Sequence, residues 1–376
     1  MRILLIGGNG FIGSPLASEL RDSGHSVAIF HRSADKSPDK NVVRIQGDRN
    51  RLSDHLEQIQ RFSPEVIVDL ILSSGEQARQ LISTSRKVAR RVIAISSMDV
   101  YRAWGVVHQS EPGPLEALPL TEDSPPRTNR QLYPPETVKM MQSIFSWVDE
   151  HYDKIAVEEA ILNSAEISGT VLRLPMVYGP GDPLHRFFPL LKRFDDGRSS
   201  ILLADNLAAW RGPRGYVENI AHAIALAATS NQAAGRVYNV CQEPTLSELA
   251  WQTKIATQAH WSGEFVVLPR EKTPTHLLQP GDAAQHIVAS SERIRADLGY
   301  TELVDIDEAI RRTIAWEQIN PPTTIDPQQF NYDARGCSSR EWTLSPSRAS
   351  DGRLFPNPRN GRSPTNRSQD YLGCIG

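Results

Sequence analysis

The hydrophobic positions of the first hundred residues alternate between the pattern of a buried strand and that of an amphipathic helix. Short apolar runs predict strands at 2–6, 27–30, 42–45, 66–71 and 92–95. Between the first two, Ile12, Leu16 and Leu20 recur along one helix face, and Gly24 follows as a helix-terminating residue. Apolar strands separated by helices predict a parallel sheet that is covered on both faces. The sequence therefore predicts an α/β protein with a doubly wound sheet.

Prolines interrupt this alternation between Arg102 and Pro135. The stretch contains seven prolines and no apolar period, so we expect a long loop of the kind that is usually functional or mobile. Periodic patterns on either side of this stretch predict helices at 79–91 and 147–164. Later patterns predict helices at 216–229, 246–258 and 307–318, and strands at 170–174 and 236–240.

The C-terminal segment, 326–376, has a different composition. It is rich in Ser, Arg, Pro, Asn and Gly, and it contains Cys337 and Cys374. Its seven arginines and five acidic residues give a net charge of +2, so 1–325 carries −5 of a total of −3. We expect this tail to be disordered, because its few apolar residues cannot offset the entropy of ordering. The interspersed acids favour an extension without its own function over an arginine-rich nucleic-acid arm.

Charge and cysteine content narrow the class of protein. A pI of about 6.4 differs from that of strongly basic nucleic-acid-binding domains, and no apolar run approaches 18 residues. The opening MRILLIGG lacks the apolar core of a signal peptide. The cysteines and histidines have neither disulfide nor metal-ligand spacing. We therefore expect a cytoplasmic enzyme without a metal, and neither a membrane nor a nucleic acid as its main partner.

A glycine-rich turn joins the first predicted strand to the first predicted helix. It contains Gly7, Gly10, Phe11, Ile12 and Gly13. Glycines here permit a tight turn and let the backbone approach a pyrophosphate, while the helix N-terminus supplies free N–H groups and the positive end of its dipole. Because an aspartate, Asp48, also ends the third strand, the pattern predicts a dinucleotide-binding site.

The end of the second strand indicates which nicotinamide cofactor is bound. A carboxylate there would accept a hydrogen bond from the ribose 2′-hydroxyl of NAD, whereas an arginine would neutralise the 2′-phosphate of NADP. Arg32 stands at this point, and no carboxylate follows before Asp35. The sequence thus predicts an NAD(P) site and favours NADP.

Motifs over about 1–320 resemble those of the extended short-chain dehydrogenase/reductase family, the NAD-dependent epimerases and dehydratases of nucleotide sugars. These motifs are GGNGFIG at 7–13, GD at 47–48, SSMDVY at 96–101, KxxxE at 154–158, LRLPMVYGPGD at 172–182, VYNV at 237–240 and DLGY at 297–300. The resemblance implies a Rossmann domain over 1–175 and a smaller substrate-binding subdomain over 176–325. Within the second, 216–240 would return to the Rossmann core.

The resemblance also implies roles for particular residues. Asp48 would bind the adenine amino group, and Tyr178 would lie in the turn beside the nicotinamide. Ser97 would hold the reacting oxygen of the substrate. Lys154 would bridge the nicotinamide ribose hydroxyls and lower the pKa of a neighbouring base.

The catalytic base is not where the family has it. The family motif is YxxxK, which places both side chains on one helix face. Counting back from Lys154 gives Glu150, whereas Tyr152 lies about 200° away around a regular helix. Three interpretations are open. An irregular helix start brings Tyr152 into the site, Glu150 is the base although Lys154 would keep it ionised, or the protein binds nucleotide without turnover.

The motifs together favour an NAD(P)-dependent epimerase, dehydratase or reductase of a nucleotide sugar or related polyol, with Ser97 and Lys154 as the active-site pair. The alternative is a non-catalytic nucleotide-binding protein, because the chain also resembles the chloroplast stem-loop RNA-binding proteins through 47–50, 96–101 and the long insert. The net charge of −5 over 1–325 disfavours RNA as the main partner. The family resemblance further implies a homodimer formed through the helices at 79–91 and 147–164.

Substrate-contacting positions are less distinct. Between 181 and 215, four arginines suit a substrate diphosphate, although surface positions explain them equally well. They are Arg186, Arg193, Arg211 and Arg214. Met176 stands where the family usually has an asparagine of the substrate pocket.

Overall fold

The computed structural model describes residues 1–32, 42–274, 277–278, 281–330 and 332. Asp35 and nearly all of the predicted tail, including Cys337 and Cys374, lie outside the described residues. None of the helices in the described part of the chain is long and apolar enough to cross a membrane.

The strands confirm the predicted α/β architecture. They are β1 (Arg2–Ile6), β2 (Ser26–His31), β3 (Val43–Gln46), β4 (Val66–Asp69), β5 (Arg91–Ser97), β6 (Ser168–Leu174), β7 (Met176–Tyr178), β8 (Ser200–Ala204), β9 (Arg214–Tyr216), β10 (Val237–Asn239) and β11 (Glu264–Leu268). Seven of them form one parallel sheet in the order β10-β6-β5-β4-β1-β2-β3. The order reverses at β1, and ligands of doubly wound sheets bind at such a switch point.

Helices cover both faces of this sheet. They are α1 (Gly13–Asp22), α2 (Leu56–Phe62), α3 (Gly75–Ser85), α4 (Arg102–Val107), α5 (Pro135–Ile144), α6 (Lys154–Leu162), α7 (Phe188–Asp195), α8 (Asp205–Ala209), α9 (Val217–Thr229), α10 (Glu248–Gln258), α11 (Glu292–Leu298) and α12 (Ile306–Ile319). Alternate residues of β1 point to opposite faces. Ile3 and Leu5 pack towards α1 and α9, whereas Leu4 and Ile6 pack towards α3 and α6.

Two short parallel strand pairs lie outside the main sheet. Strand β7 pairs with β9, and β8 pairs with β11. Before β11, the chain returns to the main sheet, where β10 lies beside β6. Helices α7, α8 and α10 lie between these strands in the sequence and build the second lobe of the molecule with them.

Several element boundaries differ from the predicted ones. The helix predicted at 147–164 begins at Lys154, because Asp153 caps it by accepting from the N–H groups of Ile155 and Ala156. The helix predicted at 79–91 is α3, which begins at Gly75 and ends at Ser85. The proline-rich stretch contains α4, and Pro135 at its end begins α5, since proline fits the first turn of a helix.

Candidate functional site

The glycine turn after β1 forms a cradle of main chain. The N–H of Gly10 donates to the oxygen of Gly7 over 3.0 Å, and Gly7 has a φ of +82°. A Cβ at Gly13 would lie 2.5 Å from that same oxygen. Helix α1 then starts without a side-chain cap. The N–H of Ser14 donates to the oxygen of Gly10 and Pro15 has no N–H, so an anion would meet the N–H of Gly13 and those of the turn before it. These residues fit the pyrophosphate of a dinucleotide.

A second turn lies against this cradle. Gly179 and Gly181, which follow β7, have φ values of +144° and +91°. The ring of Phe11 lies 3.5 Å from the Cβ position of Gly181, while Ile12 is half-buried beside it. The two predicted motifs therefore meet at the carboxyl edge of the sheet.

The residues predicted to bind the adenosine half are exposed at the same edge. Asp48 accepts from the N–H of Asn50 over 2.9 Å and so caps a 3₁₀ turn. Arg32 lies at the end of β2 and donates to the main-chain oxygen and the hydroxyl of Ser146. Its role towards a 2′-phosphate stays a prediction.

Lys154 is a buried cation at the start of α6. Its Nζ donates to the main-chain oxygens of Leu72 and Ile95 over 2.5 and 3.1 Å, at the ends of β4 and β5. Burial lowers the pKa of Lys154 to about 8, and the carboxylates of Asp99 and Asp69 act in the opposite direction. The binding of this ammonium to the nicotinamide ribose stays a prediction.

Tyr152 lies beside this lysine. Its hydroxyl donates to Oδ2 of Asp99 over 2.8 Å, and its ring centroid is 6.0 Å from Nζ of Lys154. Because α6 begins only at Lys154, the angle of 200° on a regular helix does not apply. The irregular helix start is the interpretation that the structure favours. Burial, with the Asp99 charge next, raises the pKa of Tyr152 well above its usual 10.

Glu150 is not part of this group. Its side chain is 80% exposed, with His151 as its neighbour at 3.8 Å, whereas Lys154 is buried. The interpretation of Glu150 as the base assumed that α6 extends back to this residue, and the cap at Asp153 prevents that. The structure corrects the assignment.

Asp99 is a site residue that the sequence analysis did not single out. Ser97, at the end of β5, accepts the N–H of Asp99 at its Oγ over 3.1 Å. The Asp99 side chain is 1% exposed, and its Oδ1 has no hydrogen-bond partner among the described residues. The nearest cation to that oxygen is Arg127, at 3.8 Å. A buried carboxylate two residues after a strand-end serine was the available signal.

Tyr178 is the last residue of β7 and directly precedes the turn that contains Gly179 and Gly181. Its ring stacks on Phe187 at 5.6 Å, and its hydroxyl donates to Gln242 over 3.1 Å. Burial raises its pKa above the usual value. The hydroxyl is therefore directed to Gln242 and not to Lys154.

A cleft of about 510 Å³ lies in the second lobe, between the turn after β7, α7, α8, α10 and residues 322–330. Each of the four arginines predicted to bind a diphosphate donates to a group of the protein. Arg193 and Arg211 donate to main-chain oxygens. Arg186 pairs with Asp182, and Arg214 with Glu248.

Comparison with known proteins agrees with this geometry. The model of the NAD dependent epimerase/dehydratase family matches residues 3–241. A 3-diazoavenalumate denitrifying reductase from a Streptomyces species is 26% identical over 269 residues, which cover 65% of this chain and 77% of the relative.

Solved structures share the fold. The UDP-glucose 4-epimerase of Thermotoga maritima, solved with UDP-glucose, is 17% identical with a TM-score of 0.61, over 85% of this chain and 99% of that one. The UDP-glucuronic acid 4-epimerase of Bacillus cereus, solved with UDP-glucuronic acid and NAD, is also 17% identical with a TM-score of 0.61 and the same coverage. These likenesses show the shared fold, while the family match and the reductase relative support an oxidoreductase-type enzyme with a nicotinamide cofactor. Because the family model spans more than half of its length, the chain belongs to the NAD dependent epimerase/dehydratase family.

Proposed function

We propose that this protein is a nicotinamide-dependent oxidoreductase in which Tyr152 and Asp99 together move the substrate proton. One observation carries the proposal. The Tyr152 hydroxyl donates to the buried Asp99 carboxylate over 2.8 Å, beside Lys154. The resemblance implies a base next to Lys154, and Tyr152 is the tyrosine that lies beside this lysine although it is not at the YxxxK position.

The cofactor would be held by residues along the carboxyl edge of the sheet. The glycine turn and the N-terminus of α1 would bind the pyrophosphate, Asp48 the adenine, and Lys154 the ribose next to the nicotinamide. Arg32 supports NADP over NAD. When bound, the nicotinamide accepts or donates a hydride.

The proton follows a route that avoids a free tyrosinate. Because the pKa of Tyr152 is raised, loss of its proton alone is costly at neutral pH. Oxidation of a substrate alcohol therefore passes the substrate proton to the Tyr152 oxygen while the Tyr152 proton moves to Asp99. Reduction of a carbonyl reverses both transfers.

The reaction type and the substrate class are proposed from the family resemblance. Epimerase, dehydratase and reductase chemistry all begin with this hydride transfer, and a nucleotide sugar or related polyol is the substrate class that the resemblance predicts. The homodimer, the domain boundaries at 175 and 325 and the cytoplasmic location stay predictions.

A turnover assay tests the proposal. Purified protein would be titrated with NADPH and NADH and then assayed for nicotinamide oxidation or reduction with a panel of nucleotide sugars, polyols and carbonyl compounds. Tyr152→Phe should lower turnover about 100-fold or more without loss of cofactor binding. Tyr238→Phe is the matched control. The Tyr238 hydroxyl donates to Asp297 over 3.1 Å, and this pair lies away from the site. Cofactor binding without turnover across the panel would instead support the non-catalytic nucleotide-binding protein.

A further inference from the structure

We propose that the cleft in the second lobe binds an uncharged aromatic substrate, and that a nucleotide sugar is not its natural ligand. This inference rests on the proposed function, since it takes the cleft to be the place where the substrate of the Tyr152 group is held. Met176, which lines the cleft, packs in the same apolar cluster as Met98 and Ile155. Those two residues directly follow Ser97 and Lys154 in the sequence. This cluster therefore connects the cleft with the two chain segments that carry Ser97 and Lys154.

Six phenylalanine, tyrosine and tryptophan side chains line the cleft. They are Tyr178, Phe187, Phe188, Trp210, Trp251 and Phe330. Tyr178 meets Trp251 edge to face at 5.0 Å, so this part of the wall is held in place by its own packing. Rigid aromatic faces bind planar apolar ligands by burial of area and by ring contacts.

The two arginines of the cleft are already neutralised. The guanidinium of Arg214 pairs with Glu248, and its carbon lies 4.7 Å above the ring of Trp251. Arg186 pairs with Asp182 at 2.8 Å. All four charged side chains are less than one-fifth exposed. A diphosphate could use either arginine only by competing with a largely buried carboxylate, and breaking such a pair is costly.

The other charged groups of the cleft make a dianion still less favourable. Asp282 and Asp326 also line it, so among the described lining residues the carboxylates outnumber the arginines. His185 is bonded to the buried carboxylate of Glu317 at 2.8 Å. Like charges near a bound diphosphate raise its free energy, whereas an uncharged ligand leaves these pairs intact.

Equilibrium dialysis of the full chain with NADPH tests the inference. The probes are 4-phenylbutan-2-one, an uncharged aromatic ketone, and UDP-glucose. The ketone should bind saturably at one site, and Leu207→Phe, which fills the cleft, should weaken this binding about tenfold. Leu303→Phe is the matched control, because Leu303 is 59% exposed and outside the cleft. UDP-glucose should show no saturable binding.

Two results would overturn the inference. One is saturable binding of UDP-glucose that Leu207→Phe weakens, and the other is no saturable binding of the ketone. The proposed function fails separately. If the ketone binds in the cleft but no panel compound is turned over, the substrate class stands and the hydride transfer does not. If a nucleotide sugar is turned over with NADPH, the hydride transfer stands and the substrate class does not.

Discussion

The Tyr152 hydroxyl donates to Oδ2 of Asp99 over 2.8 Å, although 53 positions separate the two residues in sequence. The contact exists because β5 ends at Ser97 and the chain turns immediately, while α6 starts only at Lys154. Tyr133 adds a second hydroxyl, 3.4 Å from the same oxygen. The Tyr152 hydroxyl therefore reaches Asp99 from a segment that precedes α6 and has no regular secondary structure.

Lys154→Met should change stability and cofactor binding in opposite directions. The pKa of this lysine falls from 10.5 to about 8 on folding. Burial of the charge therefore destabilises the fold below pH 8, and this cost is relieved as the pH rises from 8 to 10.5. The variant should gain up to about 3 kcal/mol of unfolding free energy at pH 7, less the value of two lost hydrogen bonds. The gain should shrink towards pH 10.

Urea unfolding at pH 7 and pH 10 measures this difference. If Lys154 binds the nicotinamide ribose as proposed, NADPH titration of the same variant should show weaker binding. Lys254→Met is the control, since Lys254 is a partly exposed lysine paired with Asp307. A variant that is less stable than the parent at both pH values would contradict the argument.

Gly13→Ala should impair cofactor binding through the backbone. The new Cβ would lie within 2.7 Å of three atoms of Gly7 and Gly8, so the cradle must shift. We expect a loss of about 1–3 kcal/mol in stability and a large loss of NADPH affinity. Gly24→Ala is the control, because it is strained at a φ of +81° but meets no atom within 4 Å. Equal NADPH affinities for the two variants would show that the cradle does not hold the cofactor.

Arg32→Ala should separate the two cofactors. If Arg32 neutralises a 2′-phosphate, its loss should weaken NADP binding about tenfold and leave NAD binding nearly unchanged. Fluorescence titration with NADPH and NADH measures both constants. Arg61→Ala, an exposed arginine on α2, should change neither. A similar loss for both cofactors would remove the argument for NADP.

Glu248→Gln should give the cleft affinity for a phosphate ligand. The substitution releases Arg214 from its carboxylate partner while keeping the shape of the side chain. Binding of UDP, measured by equilibrium dialysis, should strengthen about tenfold. Glu264→Gln on the exposed edge of β11 is the control. Unchanged UDP binding would mean that the ion pair is not what excludes phosphate.

The sequence allowed the sheet and the cofactor turn to be predicted because both depend on local patterns. Apolar runs determined the strands from β1 to β6, and the glycines placed the turn between β1 and α1. The start of α5 was not predicted because Pro134 and Pro135 are typical of a loop when the fold is unknown. In the structure Pro135 is the first residue of the helix, a position that suits proline.

The proton-transfer group was harder to predict because it depends on contacts between distant segments. Helical spacing pointed to Glu150, and only the cap at Asp153 shows that no helix exists there. Asp99 stood inside a motif that the sequence analysis used, yet nothing local indicates that its carboxylate meets Tyr152. Both the exclusion of Glu150 and the contact between Asp99 and Tyr152 depend on the burial of residues that are far apart in the sequence.

The most direct test of the account is the turnover of Asp99→Asn. With a substrate found in the panel, its kcat/KM should fall about 100-fold or more, while its NADPH dissociation constant stays close to that of the parent protein. Asp297→Asn removes the equivalent carboxylate beside Tyr238 and should retain full turnover. If Asp99→Asn turns over substrate like the parent protein, Tyr152 and Asp99 do not carry the proton and the account is wrong.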